Sequence, residues 1–181
     1  MLRLFVGIGL PPELKLRLSL LCSGVPGARW VDPGNFHVTL RFIGEVDEGT
    51  AADIDEALMK LRAPRFGLQL AGTGHFGANM LWVGVEKTPE LVRLRDRIES
   101  VLVRLGLPPE TRRYAPHVTL ARFNRDPGPK LAEFLAEHAL FREPPLLVDH
   151  FSLIASYLTK SGSIYEDQAD YPLEYGLSSR A

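Results

Sequence analysis

One tetrapeptide constrains this chain more than anything else in it. His-Val-Thr-Leu occurs at residues 37–40 and again at residues 117–120. Both copies lie in strand-forming runs, NFHVTLRFI and APHVTLARF. Side chains on a strand alternate between its two faces. His37 and Thr39 therefore share one face, and Val38 and Leu40 the other; His117 and Thr119 are set against Val118 and Leu120 in the same way. Each copy predicts a strand with an apolar face to pack under helices and a polar face carrying one imidazole and one hydroxyl. Burying such a face without partners is costly. The two strands are therefore expected to face each other across a groove where a ligand or water completes the hydrogen bonds. The repetition also predicts two similar halves.

The rest of the chain fits that division. RLFVGIGL (3–10) reads as a strand, and residues 11–24 as a helix with leucines at 14, 18 and 21 and a stop at Gly24. Residues 28–46 read as a short strand, a turn at Asp32-Pro33-Gly34 and the first motif strand. Residues 48–64 form a helix by the spacing of Ile54, Leu58 and Leu61, and strands follow at 65–76 and 80–87. The clearest helix is 88–107, with Thr88 as N-cap, Pro89 in the first helical position and Gly106 at the end. The second motif strand (113–123), a helix (128–140) and two strands (146–158 and 163–173) complete the chain. No Gly/Ser or Pro tract separates the halves. The expectation is a single two-lobed domain over 1–181, its lobes sharing one compact sheet system, with any boundary near 85–110.

Composition narrows the chemistry. The chain has 181 residues and a net charge of −1, which argues against broad electrostatic binding of long nucleic acid but leaves room for a phosphate-bearing ligand or an RNA end. A single cysteine, Cys22, rules out an internal disulfide or a cysteine metal cluster and fits a reducing compartment; it reads as a small core residue. No apolar run approaches the roughly 20 residues of a membrane helix. The opening MLRLFVGIGLPPELK reads as a strand and not a signal peptide.

A groove with two imidazoles and two hydroxyls has a definite chemistry. Imidazole titrates at about pH 6.5, so one ring can act as a neutral base while the other, protonated, acts as an acid. Two threonine hydroxyls can hydrogen-bond the non-bridging oxygens of a phosphate. In-line hydrolysis of a phosphodiester needs such a set when no metal takes part. A lone His-x-Thr in a strand is more often structural. A purely structural repeat would keep its apolar face and let the polar one drift, whereas here both His and Thr recur. Two histidines could also bind metal, but threonine is a poor transition-metal ligand and no HxxxH accompanies them. The Gly-x-Ser-x-Gly elbow of a serine hydrolase is missing.

These motifs carry a family resemblance. The opening RLFVGIGLP, NFHVTLRFIGEV, LWVGV, APHVTLAR, and FSLIASYLTKSGSIYE followed by YPL resemble, over nearly the whole chain, the 2H phosphoesterase superfamily. The likeness is to its branch of RNA 2′,3′-cyclic phosphodiesterases, the LigT-like or 2′-5′ RNA ligase family. The resemblance implies an α+β fold of two pseudo-symmetric lobes, each an antiparallel sheet with outer helices, around a central cleft. It implies hydrolysis of RNA or nucleotide 2′,3′-cyclic phosphodiesters to 2′-phosphomonoesters, independent of metal. His37 is then the proton donor to the leaving ribose 3′ oxygen, His117 the proton acceptor from water, and Thr39 and Thr119 hold the phosphate. Arg122 matches a position that can stack on the nucleobase, although parity puts it off the His/Thr face unless the strand bulges or ends there. Arg41 lies on the His37 face by parity and could add positive charge to the cleft; its alternative is a solvated strand-end arginine. Phe42, Tyr165 and Phe5 could wall the cleft or simply pack. His138 reads as a surface helix residue, and His75 and His150 have no matching partners. One departure is that Gly7 and Gly9 stand in the first strand where the family tends to have Ala-Ile-Asp, which could widen the cleft floor. The implied partners are RNA ends or small cyclic nucleotides, with no cofactor, metal or membrane, for a cytoplasmic monomer. Minor 2′-5′ RNA ligation would use the same residues in reverse, with a 5′-hydroxyl in place of water. The alternative from another class is a nucleotide- or RNA-end-binding module with little turnover.

Overall fold

The strands and helices follow the chain as β1 (Leu2–Gly9), α1 (Pro12–Ser19), β2 (Arg29–Trp30), a 3-10 turn (Pro33–Asn35), β3 (His37–Val46), α2 (Glu48–Met59), β4 (Phe66–Leu68), β5 (Leu70–Phe76), β6 (Met80–Val85), α3 (Pro89–Arg104), β7 (His117–Arg122), α4 (Pro129–Glu137), β8 (Leu146–Val148), β9 (His150–Thr159) and β10 (Gly162–Pro172). The computed structural model describes residues 1–175; residues 176–181 of the unit expected above lie outside the described residues. The architecture is the expected α+β arrangement of antiparallel sheets. One sheet runs β10-β9-β1-β3, another β2-β7-β6-β5, and β4 pairs with β8.

Local chemistry sets the helices. Thr88 caps α3 by accepting a hydrogen bond from the Leu91 N–H at 3.3 Å, and Asp47 caps α2 through the Thr50 N–H at 2.7 Å. Leu91, Leu94, Ile98 and Leu102 form the buried stripe of α3. Helix α1 ends at Ser19, short of the expected Gly24: the Ser19 hydroxyl turns back to the Leu16 carbonyl, and tighter turns carry the chain through Leu21 and Cys22. Cys22 is half-buried, and burial pushes its thiol up to about 11. No helix of the described residues is long and apolar enough to cross a membrane.

The apolar faces of the motif strands are buried as the alternation predicts. Val38, Val118 and Leu120 are fully enclosed and Leu40 is 2% exposed. Each such side chain contributes about 1.5–3 kcal/mol through burial. These strands therefore cannot turn over without losing their core face.

Two expectations are corrected. The halves of the sequence are not the two sheets. Strand β2 pairs with β7, and β9 pairs with β1, so the chain crosses between the two sheets four times and residues 85–110 are no boundary. The expected strands 65–76 and 146–158 each break, near Gln69 and Asp149. Their first parts leave the sheets and pair with each other as β4 and β8. Propensity along a strand carries no signal for which neighbour it will find.

Candidate active site

Strand β3 is the edge of its sheet and packs beside β7 of the other. Their polar faces look into one cleft of about 340 Å³, lined by His37, Thr39 and Phe42 of β3, His117, Thr119 and Arg122 of β7, and Arg3, Phe5, Val31, Asn35, Met80, Ser156, Ser163 and Tyr165. Among the described residues this lining holds two arginines and no carboxylate, so its potential favours an anion. A larger groove of about 760 Å³ between α2 and α3 contains none of the motif residues. It is the charged flank of two surface helices, and size is a poor guide here.

The two imidazoles are held in the same way. His37 Nδ1 lies 2.7 Å from the Asn35 carbonyl and His117 Nδ1 lies 2.7 Å from the Ala115 carbonyl, each two residues back. A carbonyl only accepts, so each Nδ1 carries a hydrogen and each neutral ring has its Nε2 as acceptor. Around His37 stand Phe5, with ring centroids 4.6 Å apart, and Tyr165, edge-on at 5.2 Å. Around His117 stand Phe76, edge-on at 5.0 Å, and Trp82 at 6.2 Å. The hydroxyls differ. Thr39 Oγ1 donates to His37 Nε2 at 2.8 Å, whereas among the described residues Thr119 Oγ1 reaches only the Met80 sulfur, a weak acceptor, at 3.5 Å.

Burial pushes the His37 imidazole down to about 4, opposed by its bond to Asn35 and aided by the nearby His117, Lys15 and Arg122. Burial also lowers His117, again opposed by its carbonyl partner. Burial therefore favours the neutral form of both rings in the free protein.

A bulge decides which other residues reach the cleft. Along β1 and β3, Val6 pairs with Arg41 but the next residue, Gly7, pairs with Thr39, so Leu40 is an extra residue. Along β6 and β7, Leu81 pairs with Ala121 and Trp82 with Thr119, so Leu120 is extra. The same motif position bulges in both copies. Alternation reverses beyond it. Leu40 and Arg41, like Leu120 and Ala121, both turn to the buried side, and Phe42 and Arg122 turn into the cleft.

Arg41 therefore does not charge the cleft, contrary to the parity argument. It is 7% exposed and its guanidinium binds Glu99 and the carbonyls of Phe42 and Pro108. Burial pushes the Glu99 carboxyl up, but its bonds to Arg41 and to the Glu110 N–H outweigh this and hold it below the usual range. Glu110 in turn is held down to about 2 by Arg112. The second copy has Ala121 in the place of Arg41 and needs no such partners.

Gly7 likewise does not widen the floor. A Cβ there would meet the Val38 carbonyl oxygen at 3.0 Å and the His37 and Phe5 rings at 3.4 Å, so the glycine makes room for the histidine itself. Arg3, whose guanidinium lies 5.3 Å from the centre of the Phe42 ring, was not expected, nor were Asn35, Ser156, Ser163, Phe76 and Trp82. No motif marks them. They arrive by strand pairing, as when register sets Trp82 opposite Thr119. His75 and His150 lie outside the cleft, and the His138 ring rests on Phe134 just past α4.

Residues 27–158 match the family model of the 2′-5′ RNA ligase superfamily. An RNA 2′,3′-cyclic phosphodiesterase of Aeropyrum pernix is 40% identical over 158 residues, covering 84% of this chain and 89% of its own. One from Thermotoga maritima is 33% identical over 186 residues, covering 97% and 98%. Among solved structures, Escherichia coli LigT complexed with 3′-AMP superposes with a TM-score of 0.76 at 26% identity, covering 95% of this chain and 98% of that one. TT0787 of Thermus thermophilus gives a TM-score of 0.76 at 26% identity, covering 96% and 98%.

Proposed function

This chain belongs to the 2′-5′ RNA ligase superfamily, and from that premise we propose that it is an RNA 2′,3′-cyclic phosphodiesterase whose two motif histidines move the protons of hydrolysis. The observation that carries the mechanism is the matched orientation of the rings. Both Nδ1–H groups are committed to backbone carbonyls, so both Nε2 atoms serve the same cleft.

The cyclic phosphate sits between them. His117 Nε2 takes a proton from water as its oxygen bonds to phosphorus, the P–O3′ bond breaks, and protonated His37 delivers its Nε2 hydrogen to the departing 3′ oxygen. The product is a 2′-phosphomonoester. Thr119, whose hydroxyl rests on the weak Met80 sulfur, donates to a non-bridging oxygen. Thr39 becomes free in the same event that arms the acid. Its hydroxyl donates to neutral Nε2, and protonating that nitrogen turns it into a donor and releases the hydroxyl to the phosphate. Arg122 and Phe42, brought in by the two bulges, face the nucleoside, and Tyr165 braces His37.

The test is hydrolysis of an oligoribonucleotide ending in a 2′,3′-cyclic phosphate, with EDTA present. Unchanged turnover to a 2′-phosphate is expected. A 3′-phosphate product would overturn the leaving-group assignment, and loss of activity restored by a divalent ion would overturn the acid–base scheme.

The pH dependence follows from the depressed imidazoles. Catalysis needs one proton on the pair, and burial makes the free protein give it up below the usual pH of about 6.5. The kcat/KM profile is therefore expected to peak below pH 6.5 and fall about tenfold per unit above it. A bound phosphate anion favours the imidazolium, so kcat should peak at a higher pH than kcat/KM. A kcat/KM that stays level between pH 6.5 and 8 would contradict this.

A further inference from the structure

The cleft does not end at the catalytic groups. A second cavity of about 450 Å³ adjoins it and shares Thr39, Phe42 and His117 with it. Both volumes fall within the roughly 300–1,000 Å³ of small-molecule sites. The second cavity is chemically distinct. Phe42 and Phe76, each 39% exposed, offer flat rings at its edges. Arg41, Arg95, Arg112 and Arg113 stand in its wall beside one carboxylate, Glu110; Glu99 pairs with Arg41 and Glu110 with Arg112, and the chain's net charge is −1. Arg95 is largely enclosed, its guanidinium 5.5 Å from the centre of the Tyr114 ring, with Nη1 3.4 Å from the Asp96 carboxylate and a buried Nε–H that has no partner among the described residues.

The wall is also built to hold its shape. Arg41 binds Glu99, Glu99 accepts the Glu110 N–H at 2.7 Å, and Glu110 binds Arg112 at 3.1 Å. Tyr114 from the same loop donates to the Thr39 carbonyl at 2.9 Å, fixing the loop to β3. A fixed cationic loop beside exposed rings is the chemistry that recognises single-stranded nucleic acid, backbone by charge and bases by stacking.

We propose that this cavity is the subsite for the nucleotide immediately 5′ of the cyclic-phosphate end, so that an RNA strand is preferred over a free cyclic mononucleotide. The inference rests on the phosphodiesterase reading above. Phe42, shared by both cavities, separates the two bases, Phe76 takes the second, and the phosphodiester linking the nucleotides meets Arg95 and Arg113.

The experiment compares adenosine 2′,3′-cyclic phosphate with a tetranucleotide ending in a 2′,3′-cyclic phosphate, using the wild type and Arg113→Glu. Arg113 is exposed, so the change leaves folding intact. The wild type is expected to favour the tetranucleotide in kcat/KM by about tenfold or more. Arg113→Glu should erase most of that preference, through KM, and leave the mononucleotide within twofold. Equal effects on both substrates, or none on either, overturn the subsite. If the folded wild type turns over neither, the phosphodiesterase reading fails by itself. The subsite is then read by titration with adenosine 2′-phosphate and a tetranucleotide 2′-phosphate. Tighter tetranucleotide binding that Arg113→Glu removes supports it, and equal affinities overturn it.

Discussion

His37→Ala and His117→Ala each lower kcat on a cyclic-phosphate RNA end by about 10²–10⁴-fold, with the fold retained. The two losses have different origins. Without His117, water must attack with no base. Without His37, the ribose 3′ oxygen must leave as an alkoxide. Because one turnover needs both transfers, the double variant should lose little more than the worse single one. His37 also packs between Phe5 and Tyr165, so alanine there leaves a gap and some loss of stability is expected with it. Kinetics are therefore read beside a thermal melt and circular dichroism. A variant that stays folded at the assay temperature and keeps wild-type turnover removes that histidine from the mechanism.

Arg41→Met gives the largest expected effect on stability. Removing one partner of a buried pair leaves the other charge uncompensated, here Glu99 with its side chain 15% exposed, and this costs about 3 kcal/mol. For a chain of this size that is a fall of about 6–12 °C in Tm. Arg41→Met with Glu99→Gln should recover most of the loss, because the neutral amide still accepts from Glu110 while no charge is stranded. The parity reading of the sequence makes the opposite forecast, a raised KM at unchanged stability, so a melt and a kinetic titration on one variant separate the two. An unchanged Tm would sink the buried-pair account.

Arg41 and Arg122 also show how far sequence reasoning reaches into this site. Parity placed His37 with Thr39 and His117 with Thr119, and the structure brings all four together. Counting on by twos put Arg41 into the cleft and Arg122 out of it, and both placements reverse. One extra residue in each strand, Leu40 and Leu120, accounts for both. A bulge is a relation between two strands, and neither HVTLRF nor HVTLAR carries a mark of it. The short strand at Arg29–Trp30 and the hairpin of β9 and β10 teach the same lesson at larger scale. Each was legible as a strand, and each pairs with a strand from the other half of the chain, β2 with β7 and β9 with β1.

By itself the sequence determined what depends on neighbours in the chain. These are the two-faced motif strands, the capped helices such as α3, the α+β class, and the paired imidazoles and hydroxyls that point to phosphodiester chemistry. Periodicity and capping act over a few residues, so they can be read along a line. The tertiary structure alone decided the rest: the bulges that select Phe42 and Arg122, the aromatic surroundings of each histidine, the burial that lowers both imidazoles, and the arginine-lined cavity beside them. Register, desolvation and charge pairing are set by residues distant in sequence, and they exist only once the two sheets have met.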